Sequence, residues 1–353
     1  MGLLELGWNE QLESAFELYK DHGYSVGRVV IEHKNVYTVY TEGTPLLAEI
    51  SGKMNYCARG RSDYPAVGDW VVLKENTDIS IIHSILPRKS KFSRKTAGDI
   101  FDEQIVASNI DTVFLVTSLN NDFNLRKLER YLLLSKESGA NPVIILSKAD
   151  LCSNIDEKIK EIQGLDSSVP FHIISALHNE GIEPLMPYMS NGLTVALIGS
   201  SGVGKSTLIN SLLGEEYLKV NSVRDSDHKG RHTTTHRELV VLPNGGVLID
   251  TPGMRELQLW SSEEGLNSSF DDIDRLMKQC RYNDCTHMVE PGCAVKEALA
   301  TNKLDKKRYE NYKKMKRELE RLALKEKEQL KAAQRASGKK HSKFFDGLKQ
   351  RRK

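Results

Sequence analysis

No apolar run of about 18 residues occurs in this 353-residue chain, so the sequence offers no membrane-spanning helix. The opening Met-Gly-Leu-Leu-Glu-Leu-Gly-Trp has no basic stretch and carries an early Glu5, so no secretory signal is expected. Position 6 is Leu6 where a myristoylated chain carries Ser or Thr. Cysteine is scarce and odd in number, and three of the five lie between Cys280 and Cys293, which argues against a disulfide framework and for a reducing compartment. Isolated Cys57 and Cys152 read as small, partly buried apolar residues.

The chain is 39% apolar and 28% charged, the balance of a soluble globular protein, and is long enough for two or three domains. Its net charge of +2 hides an asymmetry. Residues 303–353 hold 20 Lys/Arg against 7 Asp/Glu, a net of +13, leaving 30 against 41, a net of −11, for the rest. A basic tail on an acidic body points to a polyanionic partner.

Between Gly23 and Lys95, short β-branched and aromatic runs separated by Gly, Pro and polar turns predict a small all-β barrel, with an OB-fold as the leading form. The segment Arg88–Lys95 clusters basic residues around Phe92. It reads either as a solvated linker or as a contact for RNA phosphates with a stacked base. From Ile110 the pattern becomes strand–helix alternation, a mostly parallel sheet wrapped by helices. Beyond Asp250 the chain reads as helical apart from a Cys/His knot, with a thin stripe at Leu319, Leu322, Ala323, Leu330 and Ala333. The resulting domains are 1–97, a barrel with its basic linker; 98–260, the α/β domain; and 261–353, a helical metal-binding domain with a basic tail.

Chemistry-bearing motifs appear in inverted order. Gly199, Ser200, Ser201, Gly202, Val203, Gly204, Lys205 and Ser206 match G-x-x-x-x-G-K-[ST], between an apolar strand and a helix-like run beginning after Thr207. Glycines there let backbone N–H groups converge on phosphates. Lys205 would neutralise the β/γ oxygens, and Ser206 would bind Mg2+. Asp250-Thr-Pro-Gly253 reads as the Mg2+ and γ-phosphate sensing turn. The guanine-reading piece, Ser147, Lys148, Ala149 and Asp150, precedes the phosphate loop by about fifty residues, as does Ser175, Ala176 and Leu177. The carboxylate of Asp150 can accept from guanine N1–H and the 2-amino group together, a pairing adenine does not offer. Lys148 would lie over the base. Ser147 stands where Asn is usual, and its shorter hydroxyl cannot reach guanine N7 in the same way.

The Gly230–Arg237 stretch lies where a first switch belongs, with Thr234 favoured to reach Mg2+ and γ-phosphate and Thr233 and Thr235 as rivals. Met254 follows Gly253, where Ras-like enzymes carry a water-orienting Gln, so slow intrinsic hydrolysis is expected. His232 reads either as a substitute for that Gln or as a residue that orders backbone or contacts RNA. Cys280, Cys285, His287 and Cys293 offer three thiolates and an imidazole within 14 residues, a closed set suited to structural Zn2+.

Together these residues resemble the circularly permuted ribosome-biogenesis GTPases called RsgA or YjeQ, over nearly the whole chain. The resemblance rests on the N-terminal barrel, the motif order from Ser147 to Gly253, and the Cys/His knot running into Glu290-Pro-Gly-Cys-Ala-Val. It implies an OB-fold barrel, a permuted P-loop GTPase and a zinc domain. It further implies a cytoplasmic, monomeric protein that binds the 30S subunit and its 16S rRNA late in maturation, with GTP hydrolysis to GDP and phosphate promoted by that subunit. No DNA or membrane partner is implied. Members place a hydrophobic residue where Met254 stands. Two other readings remain at this level: a nucleotide-gated RNA-binding module with little catalysis, and an unrelated P-loop ATPase.

Overall fold

The structure, a computed structural model, describes residues 2–95, 102–120, 123–214, 238–250, 263–325 and 327–328. Two compact units emerge: residues 1–94 with 103–258, and residues 95–102 with 259–353.

The first unit opens with α1 (Glu10–Lys20). Asn9 caps it by accepting from the Gln11 and Leu12 amides, and Leu12 and Phe16, one turn apart, form its buried stripe. Five strands follow: β1 (Ser25–Glu32), β2 (Tyr37–Tyr40), β3 (Pro45–Ile50), β4 (Trp70–Lys74) and β5 (Ser80–Ile85). They pair β1–β2, β2–β3, β3–β5, β5–β4 and β4–β1, which closes a barrel of the OB type. Only β3–β5 is parallel. Alternate side chains fill the interior: Val29, Val39, Val71, Leu73 and Ile82 are all buried there. The expectation of strands alone in this segment needs one addition, the short α2 (Gly52–Cys57), capped by the Ser51 hydroxyl at the Met54 amide.

The basic segment after the barrel is built into the fold. β6 (Lys91–Lys95) and β7 (Glu103–Ser108) form a two-stranded ribbon. Arg88 makes a bidentate pair with buried Asp69, at 2.8 and 2.7 Å. Lys89 pairs with Asp111, and Lys91 with Glu103 at 2.9 Å. Phe92 is 2% exposed, so its ring is packed rather than presented for base stacking.

The α/β part contains β8 (Thr112–Ser118), α3 (Leu125–Ser138), β9 (Asn141–Ser147), α4 (Ile155–Gln163), β10 (Phe171–Ile173), β11 (Thr194–Ile198), α5 (Lys205–Leu213), β12 (Glu238–Val241) and β13 (Val247–Asp250). Strand order is β10-β9-β8-β11-β13-β12, parallel except for β12. Every residue of β8 and β11 is buried, as strands covered on both faces must be.

Barrel and α/β sheet meet around Arg28, whose side chain is fully buried. Its guanidinium donates to three main-chain carbonyls: Leu6 in the N-terminal segment, Gly68 in the barrel at 3.2 Å and Asn109 before β8 at 3.2 Å. Burial pulls its pKa down to about 10, against the opposing fields of Asp111 and Asp69, so it stays cationic at neutral pH.

The second unit contains α6 (Glu263–Ser269), α7 (Asp271–Lys278) and α8 (Ala294–Ala300), followed by a helix running from 306 through 325. Its core anchors are Phe270, Ile273, Val295, Leu304, Tyr309, Tyr312 and Met315. The stripe that packs is therefore Tyr309/Tyr312/Met315, one turn or more ahead of the Leu319/Leu322/Ala323 set expected from the sequence. Arg308 forks onto Asp272 at 2.9 and 2.8 Å while stacking over Phe270.

Replacing Arg28 with Met should leave the three carbonyls unpaired. A loss of about 3–5 kcal/mol is expected, read as a lowered urea midpoint for the first unit; an unchanged midpoint would show that the clasp adds no stability.

Candidate functional site

Because β8, β9, β10, β11 and β13 run parallel, their carboxyl ends open onto one edge of the sheet, where ligands bind in such folds. That edge gathers motifs that are far apart in sequence.

The phosphate loop joins β11 to α5. Gly202 and Gly204 have φ of 75° and 97°, a left-handed backbone that a side chain would strain. Gly199 is required for another reason: a Cβ there would lie 2.4 Å from the Val116 carbonyl of β8. The Lys205 ammonium donates to the Gly199 and Ser200 carbonyls at 2.9 and 2.8 Å, folded back inside the loop that it would share with a phosphate. Lys127, at the start of α3, reaches the Ser200 hydroxyl at 3.2 Å.

Ser147, at the end of β9, is buried, and its hydroxyl lies 2.5 Å from the Val203 carbonyl of the phosphate loop and 3.3 Å from the Thr117 carbonyl of β8. It therefore ties the base-side loop to the phosphate loop. Its sequence neighbours carry the rest of that loop: Lys148 has a left-handed backbone (φ 59°), and Ala149 and Asp150 form a 3-10 turn ending at Leu151. The Ala149 amide donates to the Ile174 carbonyl at 3.1 Å, and the Ser175 hydroxyl donates to Asp150 Oδ1 at 2.6 Å. Ser175 thus orients one carboxylate oxygen of an exposed Asp150 and leaves the other face open to a ligand. Ala176 packs on the core while Leu177 is 74% exposed, in position to cover a flat ring. Asp250 ends β13 beside β11, with the Ala196↔Ile249 register bringing it level with the start of the phosphate loop. Ser206 and Thr207 lie in the first turn of α5. Ser201 precedes Gly202 in the loop. His232, Thr233, Thr234, Thr235, Gly253 and Met254 lie outside the described residues.

The second unit holds the other cluster. Cys280, Cys285, His287 and Cys293 place their ligand atoms within 4.8 Å of one another. His287 Nδ1 is 3.5 Å from both the Cys280 and Cys293 sulfurs, which are 3.9 Å apart. A tetrahedral Zn2+ with ordinary bond lengths requires S···S edges of about 3.8 Å and S···N edges of about 3.5 Å, so the donor set could bind zinc without rearrangement. Burial works against a Cys280 thiolate, yet the Val295 and Ala294 amides at the start of α8 outweigh it and lower its pKa. The sequence reading missed Glu290. Its carboxylate accepts from the Thr286, Met288 and Val289 amides at 3.0, 3.0 and 3.1 Å, which shapes the turn that carries His287. The Thr286 hydroxyl heads the bonds that hold the Glu290 pKa down at about 2. No local spacing rule flags such a residue.

Comparison with known proteins now decides the family. A protein of Oceanobacillus iheyensis, "Small ribosomal subunit biogenesis GTPase RsgA 1", is 49% identical over 320 residues, covering 90% of this chain and 91% of its own. The chain belongs to the RsgA GTPase family. A family model described as "RsgA GTPase" matches residues 85–260, and one described as "50S ribosome-binding GTPase" matches 194–331. Another RsgA, from Methanosarcina acetivorans, is 46% identical over 89% of this chain and 84% of its own. The solved YjeQ of Thermotoga maritima superposes with a TM-score of 0.61 at 30% identity, covering 84% of this chain and 98% of that one. YloQ, described as a circularly permuted GTPase, gives 0.58 at 24%, covering 86% and 97%, which bears on the fold alone. RsgA GTPases hydrolyse GTP and use Mg2+, so this chain is a GTPase with its pieces permuted along the sequence.

Two outcomes follow from this geometry. Ser147→Ala should weaken GDP binding about fivefold to fifteenfold, the worth of one buried hydrogen bond, with guanine still preferred over adenine; a fluorescent-nucleotide titration showing no loss would dismiss the tie to Val203. Purified protein should carry a single Zn2+ by metal analysis, and Cys285→Ser should abolish it and lower the melting temperature of the second unit while GDP binding persists.

Proposed function

We propose that this chain is a GTPase that binds the small ribosomal subunit late in its maturation and releases it on converting GTP and water to GDP and phosphate. The observation that carries this is the assembly of a phosphate loop, a guanine-type reader and Asp250 on one sheet edge, in a unit that also contains an OB barrel. The names of its relatives support the small subunit. The large-subunit name belongs to a model matching only residues 194–331, without the barrel or the base-reading loop.

In this reading Lys205 leaves its two carbonyls for the β/γ oxygens, and the loop amides from Ser201 to Thr207 hold the phosphates. Ser206, Thr234 and Asp250 surround Mg2+, the last through water, and the Gly253 amide senses the γ-phosphate. Asp150, oriented by Ser175, selects guanine; Lys148 and Leu177 cover the base. Met254 cannot orient water, so hydrolysis waits on the subunit, with His232 the residue in this chain to supply that contact. Zn2+ in the Cys280/Cys285/His287/Cys293 set is structural: three thiolates and an imidazole close a tetrahedron and leave no open position. The basic segment beyond residue 303 faces 16S rRNA phosphates, with salt-sensitive affinity. The protein acts in the cytoplasm as a monomer.

Turnover by the purified protein should be slow and rise steeply on adding 30S particles, and Lys205→Ala should abolish the rise. Equal rates with and without 30S would sink subunit stimulation. Equal rates for Lys205→Ala and wild type on 30S would reduce the protein to a nucleotide-gated binding module.

A further inference from the structure

Strand β1 belongs to two sheets. Its first half, Ser25–Arg28, pairs with β4 and closes the barrel, with Arg28 opposite Trp70. Its register with β2 then shifts between Val29 and Ile31, the mark of a bulge, and Ile31 pairs with Glu238 of β12. Glu238 in turn pairs with Asp250 of β13. Ile31, Glu238 and Asp250 therefore form one row across three adjacent strands, about 10 Å from end to end at ordinary strand spacing.

A second contact supports the same strand. At the point where β1 passes from β4 to β12, the turn Val67–Asp69 bonds to it on both sides: the Gly68 amide donates to the Val29 carbonyl at 2.9 Å, and the Val29 amide to the Asp69 carbonyl at 2.8 Å. Gly68 has φ 95°, and a Cβ on it would lie 2.2 Å from the Ser108 carbonyl and 3.0 Å from Ile249 Cδ1. Ile249 is buried and immediately precedes Asp250. The turn is fixed in its own right, since Asn109 Nδ2 and Arg28 Nε both donate to the Gly68 carbonyl and the Ser108 hydroxyl donates to Asp69 at 2.6 Å.

We propose that the barrel is a positioning element of the magnesium site: Ile31, through Glu238, and Gly68, through Ile249, set where the Asp250 carboxylate stands. This rests on the assignment of Asp250 to Mg2+. The coupling runs both ways, because a linkage between two sites is reciprocal. Whatever loads the barrel shifts β1 and the turn against β13, and Mg2+ with nucleotide rigidifies β1. A barrel that were merely tethered would show neither effect, since a flexible connection transmits no displacement.

Three measurements on the full chain decide it. Hydrogen exchange of wild type should slow in residues 29–32 when Mg2+ and a non-hydrolysable GTP analogue are added, and should not slow with the analogue in EDTA. Gly68→Ala should raise the Mg2+ concentration for half-maximal hydrolysis about tenfold, within the usual span of coupling between sites, while GDP affinity in EDTA stays unchanged. Asp250→Asn should raise the same Mg2+ requirement directly. No effect of Asp250→Asn overturns the Asp250 assignment. An effect there, with 29–32 exchanging at the same rate in wild type with and without Mg2+ and nucleotide, overturns the positioning role. Exchange decides even where Gly68→Ala fails to fold, and equal loss of GDP affinity in EDTA would mark that variant as generally disruptive and also count against the proposal.

Discussion

Parallel strand pairing is the constraint on which everything else in this molecule depends. Five strands running the same way must present their carboxyl ends along one edge, and a ligand at that edge meets whichever loops leave it. The chain order of those loops is immaterial to the site. Ser147 reaches Val203 because β9 is next but one to β11 across β8, although fifty-six residues separate them. Asp150 meets Ser175 because β9 and β10 are neighbours. A circular cut moves the termini and the covalent attachments of the site while leaving each of these adjacencies in place.

What the cut changes is which parts of the molecule hang from which strand. In this chain the barrel is connected by sequence through β6, β7 and the start of β8, yet its structural attachment is elsewhere, at β12 and β13. Two hydrogen-bonding patterns make that attachment possible. The bulge in β1 lets one strand finish a closed barrel and then extend an open sheet, which a regular strand could not do without a clash of registers. Arg28 then fills the junction: a guanidinium supplies several donors in one plane, and here three main-chain segments present carbonyls to it. A buried charge of this kind is costly to place unless its partners are already in position, so it favours a single arrangement of the N-terminal segment, the barrel turn and Asn109.

Much of the nucleotide edge was legible in the sequence because its signals are local. Gly199–Ser206 is readable because the glycines and lysine must be adjacent to wrap a phosphate, and the Cys280–Cys293 set because a small metal demands close ligands. Alternating β-branched runs likewise announced the barrel. The contacts that link these parts were not legible, since each depends on residues brought together only by folding. Arg28 looks like one more charged residue in a strand. Gly68 looks like an ordinary turn. Arg88 and Phe92 look like an exposed basic linker, whereas Asp69 and the β6–β7 ribbon have claimed them. Ser147 shows the limit most clearly: the sequence raised what a hydroxyl cannot do for the base, and only the structure gave it a partner in the phosphate loop.

The permutation also alters what a γ-phosphate can move. Asp250 is the last residue of β13, and only 12 residues separate it from Glu263, where α6 of the zinc-binding unit begins. A segment that short spans at most about 3.5 Å per residue, so a change at the Asp250–Gly253 turn is felt at the start of α6 with little slack. On the other side, Asp250 is two strands from Ile31 of the barrel. The same short element thus has a covalent lead into one unit and a hydrogen-bonded lead into the barrel. In a chain with the usual motif order neither arrangement would exist, since the turn would continue into further strands of its own domain. Placing the cut immediately downstream of the γ-phosphate sensor makes that sensor the one point through which nucleotide state can act on both RNA-facing parts at once.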